Sequence, residues 1–520
     1  ELSPAEPDRA RRLLAAADLA LPAGQADWVR ELAGQVLTLT SDPDLRIAAR
    51  LDIGWSLLWS NRDADAFDTL LSVAAEASPR RPDLAWQAVW MAATVAHQTG
   101  LPEFRARARA ALDLLDSRDG PAPAAEYRIW IRACTDPYGE RAELVPLLRR
   151  TAEGKPLSDP GTFGAAAWVL DETELAVRVL REALSRLRAP GVRGASGGVL
   201  SALEWAYVDS GRWDDALAAA REAADIAAAY KMETVAGSAD LTTAVVAAMR
   251  GEHDQVAPLL ARVRAAVDTS EYRGFAARIW QTAGLSALAQ GNYTTAYAQL
   301  SRLFAADGTP LHHHFSYLAV ADLAAAAVRA ERRLEARTLL ERALAQLDPA
   351  PGPRLEQLTA RARGLLAEPD SAEAHFAAPL TDRTGDTWPF ERAQLQLDHG
   401  EWLRRQRRIN DAKPLLVTAL ETFRRLGAAP WTRRAESELR ACGVTVQPPQ
   451  AAPGALDGLT AQQREIVVLA GHGLTNAEIA DRLFLSPRTV ASHLYRSYPK
   501  LGIAGRHQLR DIVDEGTTPR

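Results

Sequence analysis

A short stretch near the C-terminal end of the sequence carries polar and basic side chains at a spacing that suits contact with duplex DNA. Ser486 can accept a hydrogen bond from the open N–H groups of a helix start, and Pro487 fits the first helical position because its missing N–H costs nothing there. Val490 and Leu494, four residues apart, should pack toward a core. The opposite face of this predicted helix, which could reach base edges in the major groove, carries Arg488, Ala491, Ser492 and Tyr495.

A second row of side chains on the same helix suits the phosphate backbone of DNA. Thr489, His493 and Arg496 follow at helical spacing beside the predicted base-reading face. The open N–H groups around Ser486 add an anion site. Phosphate contacts would fix the position of the helix on the duplex, whereas contacts with base edges would give sequence preference.

Two further helix starts precede this helix. Thr460 with Gln463, and Thr475 with Glu478, have the residue types and spacing of capping boxes, in which each side chain satisfies a backbone donor at the helix start. Gly473 is placed to end the first of these helices. Because the turn between the second and third helices is very short, the pattern predicts a helix-turn-helix.

The end of the third helix is also predictable. Pro499 cannot donate a backbone hydrogen bond to the carbonyl of Tyr495, so the helix should not run far past Tyr498. A last helix is expected from about Arg506 to Val513.

Charge separates this module from the rest of the chain. Residues 459–510 hold seven basic and three acidic side chains, a net charge of +4, whereas the whole chain has a net charge of −5. A positive module on an acidic body indicates local contact with phosphate groups. The structural alternative, a three-helix core that binds no ligand, would not require this excess of positive charge.

The segment QQREIVVLAGHGLTNAEIADRLFLSPRTVASHLYRSYPKLGI resembles the C-terminal DNA-binding domain of LuxR-type transcriptional regulators. The resemblance implies a four-helix domain over residues 458–516, whose third helix enters the major groove and whose fourth helix pairs two subunits. It also adds Asn476, Lys500 and Arg506 to the candidate DNA-binding residues. The family usually has lysine where this chain has Ala491, and often a basic residue at the position of Ala477, so we expect weaker DNA binding than is typical.

The preceding 443 residues read as helix almost throughout and repeat internally. Similar segments begin at Gly211, Gly251, Gly291 and Glu331, a step close to forty residues. This repetition predicts an all-α fold, an α-solenoid of about ten helical hairpins that is similar to tetratricopeptide repeats in architecture. The alanines predicted at the close crossing of each hairpin are Ala66, Ala106, Ala142, Ala176, Ala216, Ala257, Ala296, Ala336, Ala374 and Ala412. The tryptophans predicted in the preceding helices, where small residues would face large aromatic ones, are Trp55, Trp90, Trp130, Trp168 and Trp205.

Residues 388–443 resemble the last repeat before the DNA-binding domain in the large ATP-binding branch of LuxR regulators. That resemblance implies a sensor role for the helical repeat and an N-terminal nucleotide-binding module. No phosphate-binding loop motif of the form G-x-x-x-x-G-K-[ST] occurs here, and the isolated Gly154-Lys155 is followed by a proline. We therefore expect a non-enzymatic chain without cofactors, and we favour a piece cut from a longer regulator over a relative that never had the ATPase.

The remaining signals concern connection and compartment. Residues 444–457 are rich in Pro and Gly and predict a linker between domains 1–443 and 458–516. Cys134 and Cys442 lie far apart in sequence, which favours reduced thiols, and no apolar run is long enough for a membrane helix. These features predict a bacterial cytoplasmic protein that joins the nucleoid when bound to DNA. Three consecutive histidines, residues 312–314, are expected to be core or surface residues, because successive side chains on a helix diverge too far to share one metal ion.

Two functions are compatible with these patterns. The leading hypothesis is a sequence-specific transcriptional regulator, an activator by family resemblance, that binds promoter DNA as a homodimer while the solenoid senses a protein or small-molecule inducer. The alternative is an interaction scaffold whose solenoid binds a partner and whose helix-turn-helix gives only auxiliary DNA contact. Replacing Arg488 would relax sequence preference under the first hypothesis and change little under the second.

Overall fold

Pairs of antiparallel helices make up most of the chain in the computed structural model. The structure describes residues 6–21, 23–60, 62–117, 125–154, 156–187, 193–347, 351–445, 459–483, 485–501, 503, 505–506 and 509. The chain divides into two compact units, Glu1–Cys442 and Gly443–Arg520. The described residues form helices throughout, and their one β feature is an isolated bridge between Phe304 and Pro310. The fold is all-α, as predicted.

The first unit contains eleven hairpins and a final single helix in its described residues. The first six hairpins are α1 (Glu6–Ala20) with α2 (Ala26–Leu39), α3 (Pro43–Trp59) with α4 (Asp63–Ala77), α5 (Pro82–Thr99) with α6 (Pro102–Asp116), α7 (Ala125–Thr135) with α8 (Arg141–Glu153), α9 (Pro160–Val169) with α10 (Thr173–Leu187), and α11 (Ser196–Asp209) with α12 (Trp213–Tyr230). The remaining helices are α13 (Glu233–Arg250) with α14 (His253–Ala266), α15 (Arg273–Ala289) with α16 (Tyr293–Leu300), α17 (Val320–Arg329) with α18 (Arg333–Leu344), α19 (Pro353–Leu366) with α20 (Pro369–Ala377), α21 (Pro389–Arg405) with α22 (Ile409–Leu426), and α23 (Ala429–Ala441).

The forty-residue step of the sequence is the spacing of the turns inside the hairpins. Five residues at intervals of forty have a left-handed backbone with φ between +58° and +84°. In each of these turns the residue after the left-handed one donates its N–H to the carbonyl five residues before it, as Arg212 does to Tyr207 (2.8 Å) and Arg332 to Ala327 (2.8 Å). The left-handed residue lets the second helix fold back on the first. These five residues are Asp171, Gly211, Gly251, Gly291 and Glu331.

The predicted series of crossing alanines is right at six positions and wrong at four. The buried position is the fourth residue of the second helix, and it holds Ala66, Ala176, Ala216, Ala296, Ala336 and Ala412. Where a helix starts one or two residues off the assumed step, the neighbouring side chain is buried instead, as with Leu144, Val256 and Ala372. The predicted alanines that are exposed for this reason are Ala106, Ala142, Ala257 and Ala374.

Small residues do interlock with large ones, but not with the tryptophans. A Cβ atom on Gly54 or Gly284 would come within 2.6 or 2.4 Å of a leucine side chain sixteen residues later in the same hairpin. The five tryptophans lie on the first helices, as predicted, and they pack between hairpins: the rings of Trp55 and Trp90 are 5.3 Å apart, and Trp130 Nε1 donates to Thr94 Oγ1 (2.9 Å). Leucine is therefore the partner of glycine within a hairpin, and tryptophan connects one hairpin with the next.

The first unit coils far enough that successive turns of the superhelix touch. Trp388 Nε1 donates to Thr173 Oγ1 (3.2 Å), and His312 Nε2 bonds the carbonyl of His97 (2.6 Å), in both cases across 215 residues. At forty residues per hairpin, this separation corresponds to about five hairpins along the chain. Buried charges join the same turns, because Arg354 pairs with Asp209 at 2.7 Å across 145 residues.

An irregular segment fills the inside of this coil. After the short helix α16, residues 301–319 form 3₁₀ turns and the isolated bridge in place of a long second helix. His312, His313 and His314 are all buried there, and His313 Nε2 donates to the carbonyl of Cys134 (2.9 Å). The three histidines are core residues. Within the part of the chain that the structure describes, no group of three or more His, Cys, Asp or Glu side chains is arranged to hold a metal ion.

The second unit contains α24 (Ala461–Gly471), α25 (Asn476–Leu483) and α26 (Pro487–Leu501). The predicted linker lies outside the described residues from 446 to 457, and so does most of the predicted last helix from 506 to 513. The predicted domain limits at 443 and 458 stay predictions. None of the described helices is both long enough and apolar enough to cross a bilayer.

Candidate DNA-binding site

Side-chain caps define the three helix starts of the second unit. Thr460 Oγ1 accepts from the N–H of Gln463, and Gln463 Oε1 accepts from the N–H of Thr460, each at 3.2 Å. At the second start Glu478 accepts from the N–H and the hydroxyl of Thr475 (2.6 and 2.7 Å), and these hydrogen bonds lower the pKa of the Glu478 carboxyl. Both predicted capping boxes are confirmed.

The third start is confirmed as well. Ser486 Oγ accepts from the N–H of Thr489 (3.0 Å) and shares a hydrogen bond with the Thr489 hydroxyl (2.7 Å). Gly473, at φ +91°, closes the first helix as predicted, and its N–H donates to the carbonyl of Ala470 (3.1 Å). One short turn therefore precedes α25 and another precedes α26, so the three helices follow each other closely.

One face of α26 is anchored in the core of the second unit. Val490 and Leu494 are buried and pack with Ile479 and Ala480 of α25, as predicted from their spacing. Ser497, one turn further on, is buried and donates its hydroxyl hydrogen to the carbonyl of His493 (2.8 Å). This anchored face fixes which side chains of α26 point to solvent.

The opposite face of α26 is the candidate base-reading surface. Tyr495 is 77% exposed, an unusual position for a large ring on a helix whose Val490, Leu494 and Leu501 are buried. A guanidinium, a hydroxyl and a phenol side by side offer donors and acceptors to base edges and sugar-phosphate groups. The exposed residues of this surface are Arg488, Ala491, Ser492 and Tyr495, as the sequence predicts.

The predicted phosphate-contacting row is less open than the base-reading surface. Arg496 is exposed, whereas Thr489 and His493 are half-buried. The Thr489 hydroxyl already shares a hydrogen bond with Ser486. Arg496 is therefore the most accessible side chain of this row.

Three of the candidate residues hold the unit together. Lys500 Nζ donates to Gln463 Oε1 (2.9 Å), which ties the end of α26 to the capping box of α24. Arg506 donates to the Asn476 side chain and to the carbonyl of Leu474. Sequence reasoning missed these pairings because they join residues 30 to 37 positions apart. The DNA contacts of Asn476, Lys500 and Arg506 stay predictions.

α26 does not run far past Tyr498, as predicted, but it does include Pro499. The helix continues through Pro499 to Leu501, and the N–H of Ile503 then donates to the carbonyl of Tyr498 (3.0 Å). Burial of Leu501 in the core with Val490 and Leu494 explains the extra turn. The proline removes only one donor, and the carbonyl that loses it belongs to the exposed Tyr495, where water can replace the bond.

Three capped helices, a short turn and a third helix with one buried and one polar face define a helix-turn-helix protein with a helical-repeat body. Residues 457–513 match the family of bacterial regulatory proteins known as the luxR family. The spore germination protein GerE of Bacillus subtilis is 42% identical over 50 residues, which are 10% of this chain and 68% of GerE. The chain belongs to the LuxR family of bacterial regulatory proteins.

Other relatives match the same region. The DNA-binding transcriptional activator DevR/DosR of Mycobacterium tuberculosis is 47% identical over 60 residues, which are 12% of this chain and 28% of the relative. An HTH-type transcriptional regulator of Mycobacterium bovis is 55% identical over 61 residues, which are 12% of this chain and 7% of the relative. The match thus spans less than a tenth of the length of this M. bovis relative.

A solved structure resembles the helical repeat only weakly. A chain in the crystal structure of the APC/C hetero-tetramer Cut9–Hcn1 aligns over 84% of this chain and 93% of its own length, with 14% identity and a TM-score of 0.29. At this TM-score, the architecture of the repeat unit is defined by the helices of this chain itself.

Proposed function

We propose that the protein is a sequence-specific transcriptional regulator that binds promoter DNA through the exposed face of α26. The observation that carries the proposal is the division of this helix into an anchored face, with Val490 and Leu494 buried, and a solvent-facing surface that includes Arg488 and Tyr495. A side chain held on an anchored helix can read base edges with defined geometry. The net charge of +4 over residues 459–510 supports contact with phosphates.

The wider role follows from the same proposal. We propose that two copies bind a two-fold-symmetric site, that the helical repeat senses a signal, and that the protein acts as an activator in the cytoplasm. The relation to DevR/DosR, whose name describes a transcriptional activator, supports the last point. We propose no catalytic activity and no cofactor for this chain.

The test is selection of bound sequences from a random duplex pool at fixed salt, with the wild-type chain and Arg488→Ala in parallel. We expect the wild type to enrich a two-fold-symmetric site. The variant should lose preference at one position of each half-site and bind the wild-type site about 1–3 kcal/mol more weakly, because a guanidinium that contacts a base edge contributes roughly that discrimination.

The matched control is Arg482→Ala, which removes an exposed arginine from α25 rather than from the base-reading surface. It should leave the selected sequence unchanged. If Arg488→Ala selected the wild-type site with wild-type preference, the proposed reading surface would be wrong. If none of the proteins enriched any sequence, the scaffold function would be favoured instead.

A further inference from the structure

A cavity of about 340 Å³ opens in the helical-repeat unit where its last hairpins and its final helix converge. The volume lies at the small end of the range for pockets that bind small molecules. Its wall includes the end of α15 and the start of α16, and parts of α17, α19, α21 and α23. The lining residues that matter for its chemistry are Tyr293, Asp322, Arg329, Arg361, Arg433 and Arg434.

The charges on the cavity wall are mostly positive. Four arginines line it, against the single carboxylate of Asp322. The other two carboxylates of this cluster, Asp398 and Glu401, are buried and are not part of the lining. A molecule in the cavity would therefore face guanidinium groups, with most of the compensating negative charge behind them.

The buried carboxylates hold three of these arginines in place. Asp398 accepts from Arg361 Nε (2.8 Å) and from Arg434 Nη2 (2.6 Å), and Glu401 accepts from Arg329 Nη2 (3.1 Å). Burial alone would raise the pKa of Asp398, but the guanidinium groups outweigh burial and lower it. The arginines are thus oriented before any ligand arrives, and each retains N–H groups beyond those used here.

The positive charge of Arg433 has no carboxylate partner in the described cavity wall. Asp322, Asp398 and Glu401 pair with Arg329, Arg361 and Arg434, and Glu401 also pairs with Arg405 outside the lining. The exposed Arg433 takes part in no ion pair within the part of the chain that the structure describes. An additional anion would balance this fourth cation. In a partly enclosed site, hydrogen bonds from guanidinium groups to an oxyanion are among the stronger polar interactions.

We propose that this cavity binds a small organic molecule carrying a carboxylate or phosphate group, with Arg433 and the preoriented Arg329 and Arg434 on its oxyanion. The ring of Tyr293, which lies 5.6 Å from the Arg329 guanidinium, forms the side wall for the body of the ligand. The inference rests on the proposed function in one respect, since it assigns the sensed signal to this site.

Binding has a direct consequence for α23. This helix supplies Trp431, Arg433 and Arg434 to the cavity, and it is the last described helix before the predicted linker that leads to the DNA-binding unit. A ligand that bridges α23 to α16 and α17 would slow the opening of α23. The amide hydrogens of residues 431–441 should therefore exchange more slowly when the ligand is bound.

The experiment uses inorganic phosphate and succinate as probes with the full chain, and succinamide as an uncharged counterpart of succinate, at constant ionic strength. Tryptophan fluorescence and hydrogen exchange in α23 report binding. We expect at least one of the two anions to bind with protection of residues 431–441 and succinamide to have no effect. The two anion arms distinguish a phosphate ligand from a carboxylate ligand.

Two variants and a control make the test specific. Arg433→Glu reverses the unpaired charge without touching the buried ion pairs, and Ala289→Phe fills the cavity from a half-buried wall position. Each should weaken binding of the anion at least tenfold, whereas Arg425→Glu, on the exposed side of α22, should bind it normally. Equal binding by all four proteins, or no binding of either anion by the wild type, would overturn the proposal.

The duplex selection separates this inference from the proposed function. A chain that selects a DNA site through Arg488 but ignores both anions keeps the regulator function and loses the cavity as its sensor. A chain that binds an anion through Arg433 but selects no DNA site keeps the cavity and loses the regulator function.

Discussion

Glu204 shows how the environment of one residue sets its protonation. It lies on α11 without solvent exposure, and its Oε2 accepts from the hydroxyls of Thr242 (2.9 Å) and Ser238 (3.4 Å) on α13. Burial raises the pKa of the Glu204 carboxyl from 4.5 to about 8, which the two hydroxyl donors only partly oppose. At neutral pH this acid is therefore protonated in the folded chain and ionised in the unfolded chain.

The raised pKa of Glu204 makes the stability of the repeat unit fall with increasing pH. Below pH 4.5 the acid is protonated in both states, and between 4.5 and about 8 only the unfolded chain releases the proton, so the free energy of unfolding decreases through this window. We expect Glu204→Gln to remove a loss on the order of 3–5 kcal/mol across the window. At pH 8 this variant should be more stable than the wild type, as measured by urea unfolding followed by tryptophan fluorescence.

The control for this prediction is Glu341→Gln, at an exposed glutamate on α18. It should leave the difference in unfolding free energy between pH 5 and pH 8 as it is in the wild type. A Glu204→Gln variant that follows the wild-type pH dependence would show that Glu204 is ionised in the folded chain.

At the scale of elements, the hairpin turns provide a matched pair of substitutions. Glu331 adopts φ +60° where the equivalent Gly291 adopts φ +74°. A non-glycine residue in the left-handed region costs roughly 1–2 kcal/mol. Replacing it by glycine removes this cost, but the larger conformational entropy of glycine in the unfolded chain offsets part of the gain. We expect Glu331→Gly to raise the unfolding free energy by about 0.5–1 kcal/mol. Gly291→Ala should lower it by about 1 kcal/mol, because an added Cβ meets nothing closer than the Tyr293 hydroxyl at 4.0 Å and conformation alone decides the effect.

Ala330, immediately before Glu331, is the control for the backbone argument. Its φ of −91° is ordinary for any residue, so Ala330→Gly should destabilise the chain, in the opposite direction to Glu331→Gly. Urea midpoints of the three variants at one pH are sufficient. Stabilisation by glycine at both positions would point to a cause other than the left-handed turn.

The elements that the sequence predicts well are those whose signals are local. Thr460, Thr475 and Ser486 each cap a helix through contacts within three residues, and the forty-residue step follows from turns that close over five residues. The sequence places the end of α26 to within a few residues, but it does not show that the helix includes Pro499, because burial of Leu501, a tertiary effect, outweighs the local preference of proline. Four of the crossing alanines are predicted wrongly for a different reason: a shift of one or two residues in a helix start changes which side chain is buried.

The contacts that the sequence does not predict join distant hairpins. The pairing of Arg354 with Asp209 spans 145 residues, and the contact of His312 with His97 spans 215. Both depend on the curvature that accumulates over several hairpins, which no local pattern records. For the same reason the sequence gives no sign of the four-arginine cavity, whose lining runs from residue 288 to residue 434.

At the scale of the whole repeat unit, a cluster of four histidines joins two turns of the superhelix. His97 of α5 lies with its ring 5.4 to 5.7 Å from the rings of His312, His313 and His314. Burial lowers the pKa of His97 from 6.5 to about 4 and lowers the pKa values of the other three well below 6.5. All four rings are therefore neutral in the folded chain at neutral pH.

These lowered pKa values predict acid sensitivity at the joint between the turns. Above pH 6.5 the histidines are neutral in both states; as the pH falls below 6.5 only the unfolded chain takes up protons, so the free energy of unfolding decreases toward pH 4. His314 is the most informative position, because both of its ring nitrogens are buried without a hydrogen bond while its backbone carbonyl accepts from Tyr138 (3.1 Å).

His314→Phe keeps the ring contacts and the backbone bond and removes one titrating group. Its free energy of unfolding relative to that of the wild type should be about 2 kcal/mol more favourable at pH 5 than at pH 7.5. One protonation of the unfolded chain between pH 6.5 and pH 5 contributes that amount. Urea unfolding at the two pH values measures the difference, with His375→Gln on α20 as a half-buried histidine outside the cluster that should show no such gain. An equal effect of His314→Phe at both pH values would mean that the cluster does not make the joint between the turns acid-sensitive.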